Sequence, residues 1–187
     1  MHPSDRAKCI YLYNDGVCLG MWKKISEKLK NYPARLNVIR IMIEYGIGVT
    51  QDGKIVIGPV EIPEVSIARA AGVDRRIVKK TVEYILQDKE LRRIFTGLKP
   101  AGALLAPIAK ELGYFVVEIR ADPTAPGILA GAAKIAAEEN ISIRQAVAED
   151  PELFPEPKLI LVLDKPLSGE GVNRMLKIPY VKSVTAY

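Results

Sequence analysis

Arg75, Arg76, Lys79 and Lys80 are four cations within six residues. At about 100° per residue they share with Glu83 one arc of roughly 140° on a helix. Ile77, Val78, Thr81, Val82 and Ile85 fall in the opposite arc. The spacing predicts a helix that docks an apolar side on the protein and leaves a cationic side outside. Such a face suits the major groove of DNA, because arginine forks match guanine edges and lysines pair with phosphates. A solvated charged face on an ordinary core helix has the same pattern.

Other chemistry is poorly provided for. His2 is the only histidine, and Cys9 and Cys18 are the only cysteines. Neither a disulfide framework nor a full zinc ligand set is expected. No paired carboxylate, nucleophile with a base or phosphate-cradling glycine loop of recognised form occurs, so neither an enzyme nor a cofactor is expected.

A cationic helix reads DNA only if a second helix braces it. In Glu64 to Glu83, Ile67, Ala68, Ala71, Gly72, Val73 and Val78 have the spacing that packs two short helices across a tight turn. Gly72 is the pivot, since glycine takes a left-handed conformation without strain. Ala68 is small where the helices cross, and Asp74 caps the second helix. The segment reads as a helix-turn-helix, with double-stranded DNA as the expected partner. Upstream, helices are expected over Trp22 to Leu29 and Ala34 to Tyr45, then a hairpin pairing the residues around Val49 with Lys54 to Ile57. A wing would fall near Leu91 to Leu98, where Arg92, Arg93 and Phe95 are a weak sign, so the domain is expected to be a helix-turn-helix, winged or not.

Charge divides the chain in two. Residues 1 to 112 hold 19 Lys and Arg against 12 Asp and Glu, a balance of +7, while residues 113 to 187 hold 8 against 10, a balance of −2. The basic excess therefore lies wholly with the helix-turn-helix, where an electrostatic footprint for nucleic acid belongs. Four segments are expected: an irregular N-terminal extension over 1–20, a DNA-binding domain over 21–96, a linker with a short helix over 97–113, and a second domain over 114–187. In the linker Leu105, Ile108, Ala109 and Leu112 share a face. The apolar stretch from Cys9 to Tyr13 is short and interrupted, and no run approaches about 18 apolar residues, so a cytoplasmic protein without a membrane segment is expected.

In the C-terminal part Phe115, Val117 and Ile119 alternate as a half-buried strand requires. Ile128, Leu129, Ala132, Ile135 and Ala136 then form a stripe at helical spacing. Strands are expected over Ile141 to Ala148, Leu159 to Leu163 and Val181 to Ala186, with a helix from about Glu170 to Leu176 before the last. This βαββαβ order predicts an α+β fold, one antiparallel sheet with both helices on one face. The other face is left to be covered or shared, which invites dimerisation. The acidic, proline-rich link from Glu149 to Pro157 reads as a long hairpin loop with Leu153 and Phe154 tucked onto a neighbouring surface, or as a partner-docking loop.

Between the first strand and helix, the prolines of Asp122-Pro123-Thr124-Ala125-Pro126-Gly127 fix an extended loop, and Gly127 lets backbone N–H groups approach a ligand at a helix start. A βα connection often holds proline and glycine for purely structural reasons. With its Asp-x-x-x-Pro-Gly-Ile-Leu turn, apolar helix and strand Ile141-Ser142-Ile143-Arg144, the segment from Tyr114 to Tyr187 resembles an ACT domain, a ferredoxin-like module that binds amino acids. The resemblance implies pairing of two such domains, with an amino acid between them. It would lie against Asp122, Thr124, Ala125, Pro126, Gly127, Ile128 and Leu129 on one side and Ser142, Ile143 and Arg144 on the other. Gly127 and Ile128 N–H groups would hold an α-carboxylate, Asp122 an α-ammonium and Arg144 a second acid group. Asp122 and Thr124 stand where serine-binding members have histidine and asparagine, so serine is not implied.

From Met21 to the end, the basic helix-turn-helix half followed by an ACT half resembles archaeal proteins described as predicted regulators of amino acid metabolism. What this implies is an amino-acid-responsive transcription factor, a homodimer or higher homo-oligomer that binds DNA. The alternative is an amino-acid-sensing regulatory subunit that docks on a biosynthetic enzyme without binding DNA.

Overall fold

Trp22, Ile25 and Leu29 recur at three and four residues and turn one side of α1 (Met21–Lys28) inward, as an amphipathic period requires. The computed structural model describes residues 21–187. The extension expected over residues 1–20, with His2, Cys9 and Cys18, lies outside the described residues. Pro33 opens α2 (Pro33–Glu44), where its fixed φ and missing N–H cost nothing. Val38, Ile39 and Met42 of α2 are fully buried.

Gly46, at φ +64°, turns the chain out of α2 into an antiparallel sheet of β1 (Gly48–Val49), β2 (Ile55–Ile57) and β3 (Val60–Glu61). The expected hairpin is β1–β2. A third strand, β3, extends that hairpin, and the two-residue turn Gly58-Pro59, with Gly58 at φ +57°, makes the connection. Next come α3 (Glu64–Ala71), α4 (Arg75–Gln87) and α5 (Lys89–Gly97). Residues 91–98 therefore hold no wing: α5 occupies them up to Gly97, and among the described residues no strand directly follows α4. The physical reason is local. The Asp88 carboxylate accepts from the Glu90 and Leu91 N–H groups at 2.9 Å each, and Leu91 and Phe95, four apart, are both buried. Asp88 also takes the Lys28 ammonium at 2.7 Å, tying α1 to the α4–α5 corner. Asp88→Ala should destabilise the protein by about 1–2 kcal/mol, read from the midpoint of urea unfolding.

Beyond α5 the chain changes partners. Leu98 still packs on the N-terminal core, whereas Leu105 donates its N–H to Gln145 Oε1 and Gln145 Nε2 donates to the Ala103 carbonyl, both at 2.8 Å. The helix expected here shrinks to one 3-10 turn, Ala106–Ile108. Pro107 has no N–H to donate, and the Ala109 carbonyl accepts from Tyr114 at 2.8 Å, which ends the ladder. Ala109 is buried, but Ile108 and Leu112 are exposed.

The second sheet has the strands β4 (Phe115–Ala121), β5 (Ile143–Ala148), β6 (Leu159–Leu163) and β7 (Val181–Ala186). Their order is β5-β6-β4-β7 and every neighbouring pair is antiparallel. Helices α6 (Ile128–Glu138) and α7 (Gly169–Leu176) complete a βαββαβ sequence. Val117, Ile119, Leu161 and Leu163 pack against Ala132, Ile135, Ala136 and Met175. The described residues thus form a mixed α+β fold of seven α-helices and two antiparallel sheets.

The opposite face of the large sheet does not stand open. Val116, Ile160 and Val162 are buried beneath Leu105, Ala106, Ala109 and Tyr114 of the same chain. Alongside, Glu118 accepts from Lys158 Nζ at 2.7 Å and from the Tyr187 hydroxyl at 3.0 Å. The chain's own 103–114 segment thus covers the centre of the face that was expected to be covered or shared. The Lys158 hydrogen bond, more than the Tyr187 hydroxyl, holds the Glu118 carboxyl below its ordinary 4.5, against the burial that pushes it up. A depressed folded pKa means that this contribution is present at neutral pH and is lost as pH falls through the folded value. Glu118→Gln is therefore expected to lower stability at pH 7 and to flatten its decline in acid, measured by denaturant unfolding across pH 7 to 3.

Candidate functional site

Helix α3 ends at Gly72, which is left-handed at φ +64°, ψ +36°, with its N–H donating to Arg69 O. Val73 then donates to Ala68 O at 2.9 Å, a helix end that reverses the chain within three residues. Asp74 caps α4, its Oδ1 accepting the Arg76 N–H at 2.8 Å and Arg76 Nε at 3.0 Å. The Arg76 guanidinium, and then its backbone N–H, hold the Asp74 carboxyl below the ordinary carboxylate range. Helices α2, α3 and α4 pack mutually, with Val78, Thr81, Val82 and Ile85 of α4 buried and Ile77 half-buried. Thr81 satisfies its buried hydroxyl on the Ile77 carbonyl, at 2.7 Å.

Arg75, Arg76, Lys79 and Lys80 are all exposed on the other side of α4. They are not equivalent. Arg76 is bound to Asp74, and Arg75 Nε stands 4.0 Å from Glu64 Oε2. Lys79 and Lys80 have no ion-pair partner among the described residues. An arginine fork held on its own helix cap must let go before it can read a base edge, while the two lysines can meet phosphates as they stand.

At the far end of the chain, Asp122 Oδ1 accepts from the Thr124 N–H at 2.9 Å and the Thr124 hydroxyl at 2.7 Å. The hydroxyl, then the backbone N–H, hold this carboxyl below its usual range, so Asp122 is ionised at neutral pH. Gly127, at φ +90°, starts α6 with no side-chain cap, leaving first-turn N–H groups without intrahelical partners. A concave pocket of about 220 Å³ adjoins this turn, below the range of about 300–1,000 Å³ usual for drug-sized ligands.

Of the expected ligand residues, Asp122, Ala125, Gly127, Ile128 and Leu129 line that pocket; Thr124 and Pro126 do not. Ser142, Ile143 and Arg144 are at the other end of the sheet, since Ile143 lies opposite Leu163 whereas Ala148 lies opposite Leu159. Within one chain the two sets are not brought together. Arg144 donates to the Tyr114 hydroxyl at 3.1 Å and stacks 5.3 Å from the ring centroid, and the Ser142 N–H donates to Asp164 Oδ1 at 2.8 Å. The opposing wall, Ala148, Glu149, Pro157, Lys158 and Leu159, escaped sequence reasoning. It is assembled by pairing between positions nine and eleven residues apart, Glu149 with Lys158 and Ala148 with Leu159, for which no local signal exists.

Neither a protein-family profile nor a curated protein matches the chain. Among solved structures it is similar to a homoserine dehydrogenase from Thiobacillus denitrificans, with 17% identity over 63% of this chain and a TM-score of 0.30. The match spans 29% of that enzyme's length. A likeness of this degree assigns neither fold family nor activity. Among the described residues, no helix is long and apolar enough to cross a membrane.

Proposed function

We propose that the protein is an amino-acid-responsive transcription regulator of amino acid metabolism, acting in the cytoplasm as a homodimer or higher homo-oligomer. In this reading α3 and α4 are a helix-turn-helix with α4 as the recognition helix, and residues 114–187 are a ferredoxin-like ACT module. The observation that carries it is the exposed cationic side of α4, opposite a side buried against α2 and α3. Lys79 and Lys80 would meet phosphates, with Arg75 and Arg76 at base edges in half-sites about 34 Å apart. A ligand touching both the Asp122–Leu129 turn and Ser142–Arg144 needs a second copy of the chain, because one chain holds them at opposite ends of the sheet. That favours an effector site shared between two protomers.

Two measurements test the reading. Titration with random duplex DNA at two salt concentrations should show affinity that falls steeply with salt, as counterions compete for the phosphates. No affinity at either concentration would leave α4 as a protein-docking face. A thermal-shift screen against the twenty amino acids should raise the unfolding temperature for one or a few of them by mass action. Silence from all twenty would remove the effector part.

A further inference from the structure

The β5–β6 connection, residues 149–158, touches the molecule in two places. Its base lines the pocket through Glu149, Pro157 and Lys158 and is closed by Glu149 N–H donating to Lys158 O at 3.0 Å and Lys158 N–H donating to Glu149 Oε2 at 3.1 Å. Its tip reaches the N-terminal bundle. Leu153 packs against the core built by α1 to α5, and Glu152 Oε2 accepts the Trp22 N–H at 3.2 Å, across 130 residues of sequence. The first described turn of α1 has no acidic residue of its own, so the anion at its Trp22 N–H is Glu152.

Between base and tip the connection is stiff. Leu153 and Phe154 both donate to Asp150 O at 3.0 Å, Glu152 donates to Asp150 Oδ1 at 2.8 Å, and Glu156 pairs with Arg120 of β4. Pro151, Pro155 and Pro157 each fix one backbone angle. A displacement at the base is therefore carried to the tip instead of being absorbed by the loop. We infer that residues 149–158 are a strap that couples the pocket to α1 within one chain, so that occupancy of the pocket is felt at α1 through Glu152 and Leu153. The inference rests on reading the pocket as an effector site, and it identifies a route to the N-terminal half that does not pass through a second copy.

Hydrogen exchange on the full chain tests it without an effector. Releasing the tip with Glu152→Gln and Leu153→Ser together should speed exchange of the α1 amides by about two- to fivefold, leaving β4 and β6 unchanged. Filling the pocket with Ala148→Trp should speed the same amides in the parent chain and add nothing once the tip is released. If Ala148→Trp does not fold, as judged by near-UV circular dichroism, Ala125→Trp in the same pocket takes its place. The strap is overturned by α1 amides indifferent to tip release, by a pocket filling that leaves them unchanged in the parent chain, or by a pocket-filling effect that persists undiminished without the tip. Silence of all twenty amino acids in the thermal-shift screen would remove the effector reading alone, because the exchange result stands without a ligand.

Discussion

Replacing Lys79 and Lys80 together by alanine should weaken binding to every duplex sequence alike and flatten the salt dependence by about one unit of log–log slope per lysine. Both side chains are exposed, and neither has an ion-pair partner among the described residues, so the fold loses no ion pair when they go. A melting temperature equal to the parent's would separate a binding defect from a folding one. Alanine at Lys110 and Lys177, equally exposed cations outside α4, is the matched control and should leave the slope in place. An unchanged slope in the Lys79 and Lys80 double variant removes α4 as the DNA-binding face. Arg75 and Arg76 should behave differently. Each stands near an acid of its own chain, Glu64 or Asp74, so Asp74→Asn, which weakens the hold on the Arg76 guanidinium, should tighten DNA binding even as it weakens the cap.

The largest expected loss of stability comes from Gly46→Ala, argued best against Gly72→Ala. Both glycines sit at φ +64°, a conformation that costs an alanine about 1–2 kcal/mol. Their surroundings differ. A Cβ on Gly72 meets nothing within 4 Å, whereas a Cβ on Gly46 would lie 2.6 Å from Pro100 Cα and 2.7 Å from Pro100 N. These are backbone atoms that cannot swing aside, and overpacking of this kind adds about 1–3 kcal/mol. Gly46→Ala should thus cost about 2–5 kcal/mol and Gly72→Ala only the first part. Equal losses in urea unfolding would show that Lys99-Pro100 does not close over the α2–β1 turn.

Elements carried by local chemistry were legible in advance. Gly72 and Asp74 specify the α3–α4 turn by backbone freedom and capping, and the helical period of Val78, Val82 and Ile85 announces which side of α4 is buried. The strand–helix alternation after Tyr114 is as plain, because a period of two gives way to one of 3.6. The failures fall where a local pattern serves two structures. Leu91 and Phe95 can belong to a strand or to a helix until Asp88 is seen to cap the latter. The 106–113 stretch has a helical period, but its length as a helix is decided by Pro107 and by the sheet beneath it.

Composition, period and capping residues thus determine by themselves a basic half and a weakly acidic half, the α+β class, the order of nearly every element and the cationic side of α4. Those properties depend on neighbours within one or two turns, which is the range over which backbone geometry and side-chain spacing act. Tertiary structure alone decided that the chain covers its own second sheet face, that Ser142–Arg144 lies across the sheet from Asp122–Leu129, and that Glu152 and Leu153 reach α1 from a loop at the pocket's edge. Each depends on strand register and on which surfaces meet at long sequence separation, and no local periodicity encodes either.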